Sequence, residues 1–328
     1  MIKSILHKRG SKVKTNLEIN EFALILHNSE DLLWVDLSGE DTNYFEPILK
    51  EIFNFHPLSI DDALKETHIP RVDDWGDYLY LVFRGIVLEI NKNMEVHIPE
   101  LDIFLGKNYI VTYHEYPISA VDKIWDLYLT ENQSLKIGPV NLLYRIVNEL
   151  INQYFPAIEQ IDEVIDKIEE SVFANPGSEV LNQIFNLKRI LLSLRRTFLP
   201  QREVLNKLSR DDFKLIQKKD QIYFRDLYDH LVRLHEINEG MRDLVNGALE
   251  MYLSVVNNRM NEIMKILTFI SVLFMPLTFL TGFFGMNFFQ AVLPLESWTG
   301  TIAFLMVLSG MIIIPLSMFF WMRWRSWM

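Results

Sequence analysis

The sequence predicts an α+β membrane protein with an N-terminal α/β cytoplasmic domain, a long helical stalk and two C-terminal transmembrane helices. Three observations predict this fold class. Strand-like and helical runs mix between residues 20 and 115, a helical pattern then runs from about Asp211 to Pro276 without an intervening proline, and Glu296 is the only charged residue from Ile266 to Met322.

Composition excludes several classes of partner. The chain has 328 residues, a net charge of −11 and no cysteine. An acidic protein is poorly suited to nucleic acid, and the lack of cysteine excludes disulfides and thiolate metal sites. No apolar stretch follows the early lysines before Phe22, so we expect no secretory signal peptide.

The N-terminal part, residues 1–135, is expected to be the α/β domain. Helical patterns cover residues 44–53 and 59–66. Runs rich in β-branched and aromatic residues predict strands, and these lie at residues 21–27, 32–37, 78–90, 101–105 and 109–114.

Residues 136–210 are expected to form a helical hairpin of the same domain. Periodic apolar patterns cover 140–173 and 179–208. Between them, Asn175-Pro176-Gly177 is a strong helix stop and turn.

Residues 211–286 are expected to form the stalk helix and to continue into the first membrane span. Apolar residues recur at heptad spacing, and a helix of this length would reach roughly 100 Å, too long to bury its apolar face in one small domain. We therefore expect this face to pack against the same helix of neighbouring subunits. The heptad positions are Leu227, Leu234, Met241, Ala248 and Val255.

Two C-terminal segments are each about long enough to span a bilayer, which needs about 20 apolar residues. The first is Ile266–Phe284 and the second is 298–322, joined by an extracytoplasmic loop, 287–297, and followed by a basic tail, 323–328. Cations flank both spans on the side away from the loop, so we expect both termini to be cytoplasmic. The alternative is a pair of buried helices in a soluble protein, but the segments lack a charged face.

One face of the stalk helix carries polar and small residues. At roughly 100° per residue they fall on one stripe, which either lines an axial path or lets helices pack closely. Asn261 above Met264 and Leu267 favours the first interpretation, because amide rings attract ions and apolar rings constrict a pore. The stripe comprises Glu250, Ser254, Asn257, Asn261, Met264, Thr268, Ser271, Met275, Thr278 and Gly282.

The first span ends in a motif that is specific in this position. Gly285-Met286-Asn287 closes the span, in step with Asn261, Met264 and the Met275–Thr278 run. Further matching positions are His56-Pro57-Leu58, Asp61-Asp62, Arg71 and residues 223–230. Over essentially its whole length the chain resembles the CorA family of magnesium transporters.

The resemblance implies a funnel-shaped homopentamer in the cell (inner or plasma) membrane, in contact with lipid, that carries Mg²⁺, Co²⁺ and Ni²⁺ inward. Gly285, Met286 and Asn287 would form the selectivity filter, and the stripe with Leu267 would line the pore. No phosphate-binding motif is present, so the membrane potential rather than a nucleotide would drive uptake. The family often has acidic residues soon after this motif, whereas here Glu296 is the only loop carboxylate.

The resemblance also implies that Mg²⁺ is a regulatory ion, bound between cytoplasmic domains at Asp62 and Asp226. The alternative is that these carboxylates only cap helices or pair with nearby arginines. Relief of repulsion among acidic domains supports the regulatory interpretation.

Two rival functions stay open at the sequence level. A zinc transporter would share the architecture, but the stripe has no His or Cys ligand and Met286 is intact. A membrane-tethered metal-dependent hydrolase would need converging ligands. Its candidates would be His56, Asp61, Asp62, His68, His97 and His114.

Overall fold

The computed structural model describes residues 1–8, 13–27, 31–39, 42–65, 69–89, 95–130, 138–286 and 300–325. It forms two compact units, Met1–Met251 and Tyr252–Met328. The first unit is α/β, and the second contains only helix among its described residues.

A seven-stranded mixed sheet forms the centre of the first unit, in the order β2-β1-β3-β9-β8-β5-β4. Only β3 and β9 pair in parallel, and β6 and β7 form a separate ribbon. The strands are β1 Ile2–His7, β2 Lys14–Thr15, β3 Leu32–Ser38, β4 Arg71–Asp74, β5 Leu79–Arg84, β6 Val87–Glu89, β7 Glu95–His97, β8 Glu100–Leu105 and β9 Tyr109–His114.

Helices cover both faces of the sheet. On one face, α1 (Ile19–Leu26), α2 (Thr42–Pro47), a π-helical segment (Ile48–Ile52) and α3 (Pro57–Leu64) enclose an aromatic core with β3 residues Leu33 and Val35. On the other face, Trp34 of β3 packs at 4.9 Å between ring centroids on Trp125 of α4 (Ser119–Thr130). Alternate residues of one strand thus supply both cores.

The predicted strand at residues 21–27 is wrong, because this segment is helix α1. Phe22 and Ile25 are both buried, a spacing that suits one helical face. The helix start is closed by the Glu18 backbone N–H, which donates to Glu21 Oε2 at 3.2 Å. This capping outweighs the strand propensity of the apolar residues.

The single predicted helix at 140–173 is two helices, α5 (Pro139–Asn152) and α6 (Tyr154–Ala174). Pro156 lacks the N–H that would bond the Asn152 carbonyl, which explains the break. The Tyr154 hydroxyl donates to the Arg84 carbonyl at 2.8 Å, and the Arg84 N–H donates to Gln201 Oε1 at 2.9 Å. These bonds tie the end of β5 to α6 and to α7 (Ser178–Arg210).

The long helix α8 (Gln221–Gly285) begins at Gln221 rather than near Asp211. Its heptad residues Leu227, Leu234, Met241 and Ala248 are already buried within the same chain. Asn238 Nδ2 donates to the Leu191 carbonyl of α7 at 3.3 Å. The expectation that these heptad residues pack on neighbouring subunits is therefore wrong, because α7 of the same unit lies against this face of α8.

The second unit holds the end of α8 and the helix α9 (Thr301–Trp324). Both helices are long and apolar enough to cross a membrane. Phe269 and Phe319 meet edge to face with ring centroids 6.1 Å apart, so the two helices contact each other.

Candidate functional site: an ion path and regulatory carboxylates

In the second unit, α8 has one half-covered face and one uncovered face. The half-covered residues recur at helical spacing, as expected for a face that packs on a neighbour such as α9. They are Phe269, Val272, Leu273, Pro276, Leu277 and Leu280.

The residues predicted to line a pore all lie on the exposed part of α8. At roughly 100° per residue, those within the second unit lie on the side away from the half-covered face. A polar helix face that its own chain leaves uncovered needs a partner helix or water in a membrane. The exposed residues are Glu250, Asn257, Asn261, Met264, Leu267, Thr268, Ser271, Met275 and Thr278.

Two threonines of this face bond to their own helix. Thr268 Oγ1 donates to the Met264 carbonyl at 2.8 Å, and Thr278 Oγ1 donates to the Phe274 carbonyl at 2.9 Å. Since each hydroxyl proton is used within the helix, the oxygen lone pairs remain to accept. This arrangement suits water or a hydrated cation.

A groove of about 630 Å³ opens beside the first turns of this face. Its lining mixes amides and charges with apolar side chains, and it includes Asn258, Asn261, Glu262, Lys265 and Phe269. Three residues of the predicted path therefore line it: Asn261, Met264 and Thr268.

The outer end of the predicted path is only partly described. The helix ends at Gly285, around which a side chain would meet nothing within 4 Å, and Met286 is exposed. Asn287 and Glu296 lie outside the described residues, and their predicted roles stay predictions.

Asp62, which the sequence predicts to be a regulatory carboxylate, lies on α3, whose start is fixed by His56 and Pro57. The His56 ring nitrogen Nδ1 accepts from the Leu58 N–H at 3.2 Å. One oxygen of Asp62 accepts a hydrogen bond from Arg71 Nη2 on β4, and the Asp62 side chain stays 34% exposed. The carboxylate is thus anchored but accessible.

Asp226 lies on the exposed side of α8, one turn from its start. Burial raises the pKa of the nearby Tyr144 hydroxyl, and the negative charge of Asp226 raises it further. Within the described residues of one protomer, no three His, Asp or Glu side chains converge as a metal site.

The sequence did not reveal two buried polar pairs. Asp102, 2% exposed, accepts a 2.5 Å hydrogen bond from the Tyr80 hydroxyl, and burial followed by the Glu100 charge raises its pKa well above the ordinary value. Asp36 lies 3.3 Å from His114 Nε2. Because each acid is flanked by apolar residues of its strand, only the fold shows its partner.

The histidines do not support a hydrolase site. His56 caps α3, and the His114 ring is held by Asp36 and by the Tyr116 carbonyl at 2.7 Å. His97 lies on the β6–β7 ribbon, and His68 is outside the described residues.

Fold and site together define a class: a membrane transporter with an α/β domain, a long helix and an apolar helix pair that exposes a polar face. Residues 29–323 match the family described as CorA-like Mg2+ transporter protein. The chain belongs to this family of divalent-cation transporters, so it is not an enzyme and the hydrolase alternative is wrong.

Individual relatives agree with this family. A cobalt/magnesium transport protein CorA of Thermotoga maritima is 33% identical over 310 residues, covering 94% of this chain and 87% of the relative. The complete CorA structure from Methanocaldococcus jannaschii superposes with a TM-score of 0.83 at 23% identity, covering 99% of this chain and 98% of that one. A zinc transport protein ZntB of Yersinia enterocolitica is 23% identical, covering 86% of this chain and 82% of the relative.

Proposed function

We propose that this chain conducts Mg²⁺ into the cytoplasm as a funnel-shaped homopentamer, with Co²⁺ and Ni²⁺ as further ions. The observation that carries the proposal is the exposed polar face of α8, which lies on the side away from its half-covered face. Symmetric copies of that face around one axis would enclose a polar path through the bilayer.

The membrane potential supplies the driving force in this proposal. A divalent ion moving inward gains roughly 4.6 kcal/mol per 100 mV, twice the value for one elementary charge. The orientation that suits uptake places both termini in the cytoplasm and the chain in the plasma membrane or the bacterial inner membrane. The cations Lys265 and Arg323 near the spans support this orientation.

Gly285, Met286 and Asn287 form the selectivity filter at the outer mouth in this proposal. Mg²⁺ holds its water ligands tightly, so neutral carbonyl and amide oxygens can bind the hydrated ion without stripping it. Glu296 in the outer loop would attract cations to the mouth by its charge.

The rest of the path alternates in character along α8. Polar side chains attract the ion, while Met264 and Leu267 form the apolar constriction that closes by losing water. The polar or small lining residues are Glu250, Asn257, Asn261, Thr268, Ser271 and Thr278, with Met275 among them.

Regulatory Mg²⁺ binds between subunits at Asp62 and Asp226 in this proposal. Carboxylate oxygens suit Mg²⁺, which usually takes one or two protein carboxylates and keeps several waters. One accessible carboxylate from each of two subunits, rather than a cluster in one chain, fits the described geometry. Loss of the bridging ion would let the acidic domains separate and the constriction widen.

We propose that residues 1–135 form the α/β domain and residues 136–210 form its helical hairpin. Residues 211–286 then form the stalk helix and the first membrane span. The outer loop (287–297), the second span (298–322) and the basic tail (323–328) follow. The end of α7 at Arg210 and the end of α8 at Gly285 support two of these boundaries.

Ion flux tests the proposed transport. Purified protein in liposomes with an enclosed Mg²⁺ dye should show uptake that rises when a negative interior potential is imposed. Zinc uptake that exceeds magnesium uptake under the same potential would favour a zinc transporter, and flux of neither ion would contradict the proposal.

The regulatory carboxylates are tested in the same liposomes. The double variant Asp62→Ala/Asp226→Ala should stay open at millimolar internal Mg²⁺, where the wild type closes. Closure of the variant at the wild-type concentration would refute the regulatory assignment without affecting the transport proposal.

A further inference from the structure

Arg71 on β4 contacts two carboxylates at once. Its Nη2 donates to Asp62 on α3, and its Nε lies 3.0 Å from Asp73 Oδ2 on its own strand. The Nε atom is buried and makes no hydrogen bond in this position. The guanidinium therefore lies between two acids and is fully bonded only toward Asp62.

The Arg71 guanidinium packs on the ring of Tyr80. Its guanidinium carbon lies 5.6 Å from the centroid of the Tyr80 ring, a cation–π distance. Tyr80 is in turn held by its 2.5 Å hydrogen bond to the buried Asp102. In the sheet register, Arg71 pairs with Val82 of β5. The backbone of Arg71 is thus fixed in the sheet, and its guanidinium lies over the Tyr80 ring within reach of both acids.

A divalent ion at Asp62 competes with this arginine. The Asp62 carboxylate carries one negative charge, and the guanidinium already compensates it through a charge-assisted hydrogen bond. The ion gains the full attraction of Asp62 only if Arg71 moves away. Asp73, whose side chain is 44% exposed, can accept the displaced guanidinium without any change in the backbone.

We propose that Arg71 is a tethered counter-cation that sets the affinity of Asp62 for its divalent ion by exchanging between Asp62 and Asp73. This inference rests on the regulatory role proposed above for Asp62. It assigns Arg71 as a positioning residue that holds Asp62 when the ion leaves and weakens ion binding by competition.

Replacing Arg71 and replacing its second partner, Asp73, should shift the Mg²⁺ dependence of closure in opposite directions. Arg71→Gln removes the competitor, so closure should occur at an Mg²⁺ concentration lower by roughly 1.5- to 5-fold, as expected for the loss of a partly exposed ion pair. Asp73→Asn removes the second partner and leaves Arg71 on Asp62, so closure should need more Mg²⁺ than in the wild type.

A third variant separates the geometry from the local charge. Arg71→Lys keeps the charge but replaces the planar fork with a point charge that cannot bridge two carboxylates in the same way. It should shift the Mg²⁺ midpoint in the same direction as Arg71→Gln, but less. Arg195→Gln is the matched control, since Arg195 pairs with Glu239 at 3.4 Å on a different part of the same unit.

The test uses full-length protein and two readouts. In lipid nanodiscs, the Mg²⁺ midpoint for protection from chymotrypsin is measured; in liposomes, the Mg²⁺ midpoint for closure is measured by flux. A lower midpoint for Arg71→Gln and a higher one for Asp73→Asn, with Arg195→Gln unchanged, support the proposal. Equal midpoints for Arg71→Lys and the wild type, or shifts of the same sign for Arg71→Gln and Asp73→Asn, overturn it.

Asp62→Ala separates the two proposals. If Asp62→Ala leaves the Mg²⁺ midpoint unchanged, the regulatory function itself fails. If Asp62→Ala abolishes the Mg²⁺ response while Arg71→Gln leaves the midpoint unchanged, only the role of Arg71 fails.

Discussion

At the scale of single residues, buried polar pairs stabilise the seven-stranded sheet. Tyr80 and Asp102 lie on neighbouring strands, and both are almost fully buried. A buried polar group that loses its partner costs about 1–3 kcal/mol. The Tyr80 ring also contacts the Arg71 guanidinium, so this buried pair supports the surface that carries Arg71 and Asp62.

Tyr80→Phe should lower the free energy of unfolding by about 1–3 kcal/mol, because the Asp102 carboxyl loses its hydrogen-bond donor. Thermal melting followed by intrinsic fluorescence measures the change. Tyr44→Phe is the matched control, since Tyr44 is 53% exposed and should melt as the wild type does. Equal melting of Tyr80→Phe and wild type would show that this bond contributes nothing.

His114 predicts a pH dependence of stability. Burial would lower the pKa of His114, but the hydrogen bond and charge of Asp36 and the bond to the Tyr116 carbonyl outweigh burial, so the pKa is raised. The folded state therefore binds the proton more tightly than the unfolded state. This stabilisation is fully present below the ordinary pKa of about 6.5 and is lost as the pH rises through the raised value.

His114→Gln should remove that pH dependence. The wild type should lose more stability than the variant when the pH is raised from about 6 to about 8, and melting temperatures in a pH series measure the difference. A wild-type curve parallel to that of His114→Gln would contradict the raised pKa.

The sequence supplied the candidate site residues through a motif and offered pairing with nearby arginines as an alternative role for Asp62, but it did not identify Arg71 as the partner. Asp62 was predicted as a regulatory carboxylate, while its bond to Arg71 required β4 to lie beside α3. Asp102 gave no signal in the sequence, because its partner, the Tyr80 hydroxyl on the neighbouring strand β5, is known only from the fold.

At the scale of elements, periodic patterns predicted helix α7 well but missed the break within residues 140–173 and the short helix α1. The predicted bounds 179–208 and the predicted end of α8 lie close to the observed bounds. Many repeats of the helical period in a long segment leave little ambiguity between helix and strand. Helix α1 has only eight residues, and in so short an apolar run the local capping at Glu18 decides between helix and strand.

The exposed face of α8 yields a prediction at this scale, and the absence of native cysteine makes it easy to test. Ser271→Cys and Thr278→Cys should react with a charged, membrane-impermeant thiol reagent, and the reaction should reduce Mg²⁺ flux several-fold, because both side chains would line the water-filled path. Leu273→Cys and Leu277→Cys should not react, since both positions lie on the half-covered face.

Flux and mass spectrometry after labelling give both readouts. If the Leu273→Cys and Leu277→Cys variants are labelled more than the Ser271→Cys and Thr278→Cys variants, the half-covered face and not the polar face of α8 is in contact with water, which contradicts the proposed path.

At the scale of the whole molecule, the chain buries part of its long helix by itself and leaves another part for partners. The heptad residues from Leu227 to Ala248 pack within the protomer, whereas the polar face from Asn257 onward stays exposed. The sequence pattern could not distinguish packing within the protomer from packing on another subunit. Heptad spacing indicates that a helix face is apolar, but it does not indicate which element covers that face.

The most direct test of the central claim is Mg²⁺ uptake into liposomes by Asn287→Ala, compared with wild type and with Gln290→Ala in the same loop. If Asn287 amides surround the outer mouth of a shared path, Asn287→Ala should reduce potential-driven Mg²⁺ uptake at least about tenfold, while Gln290→Ala should transport as the wild type does. Uptake by Asn287→Ala at the wild-type rate and with the wild-type ion preference would contradict the proposed path.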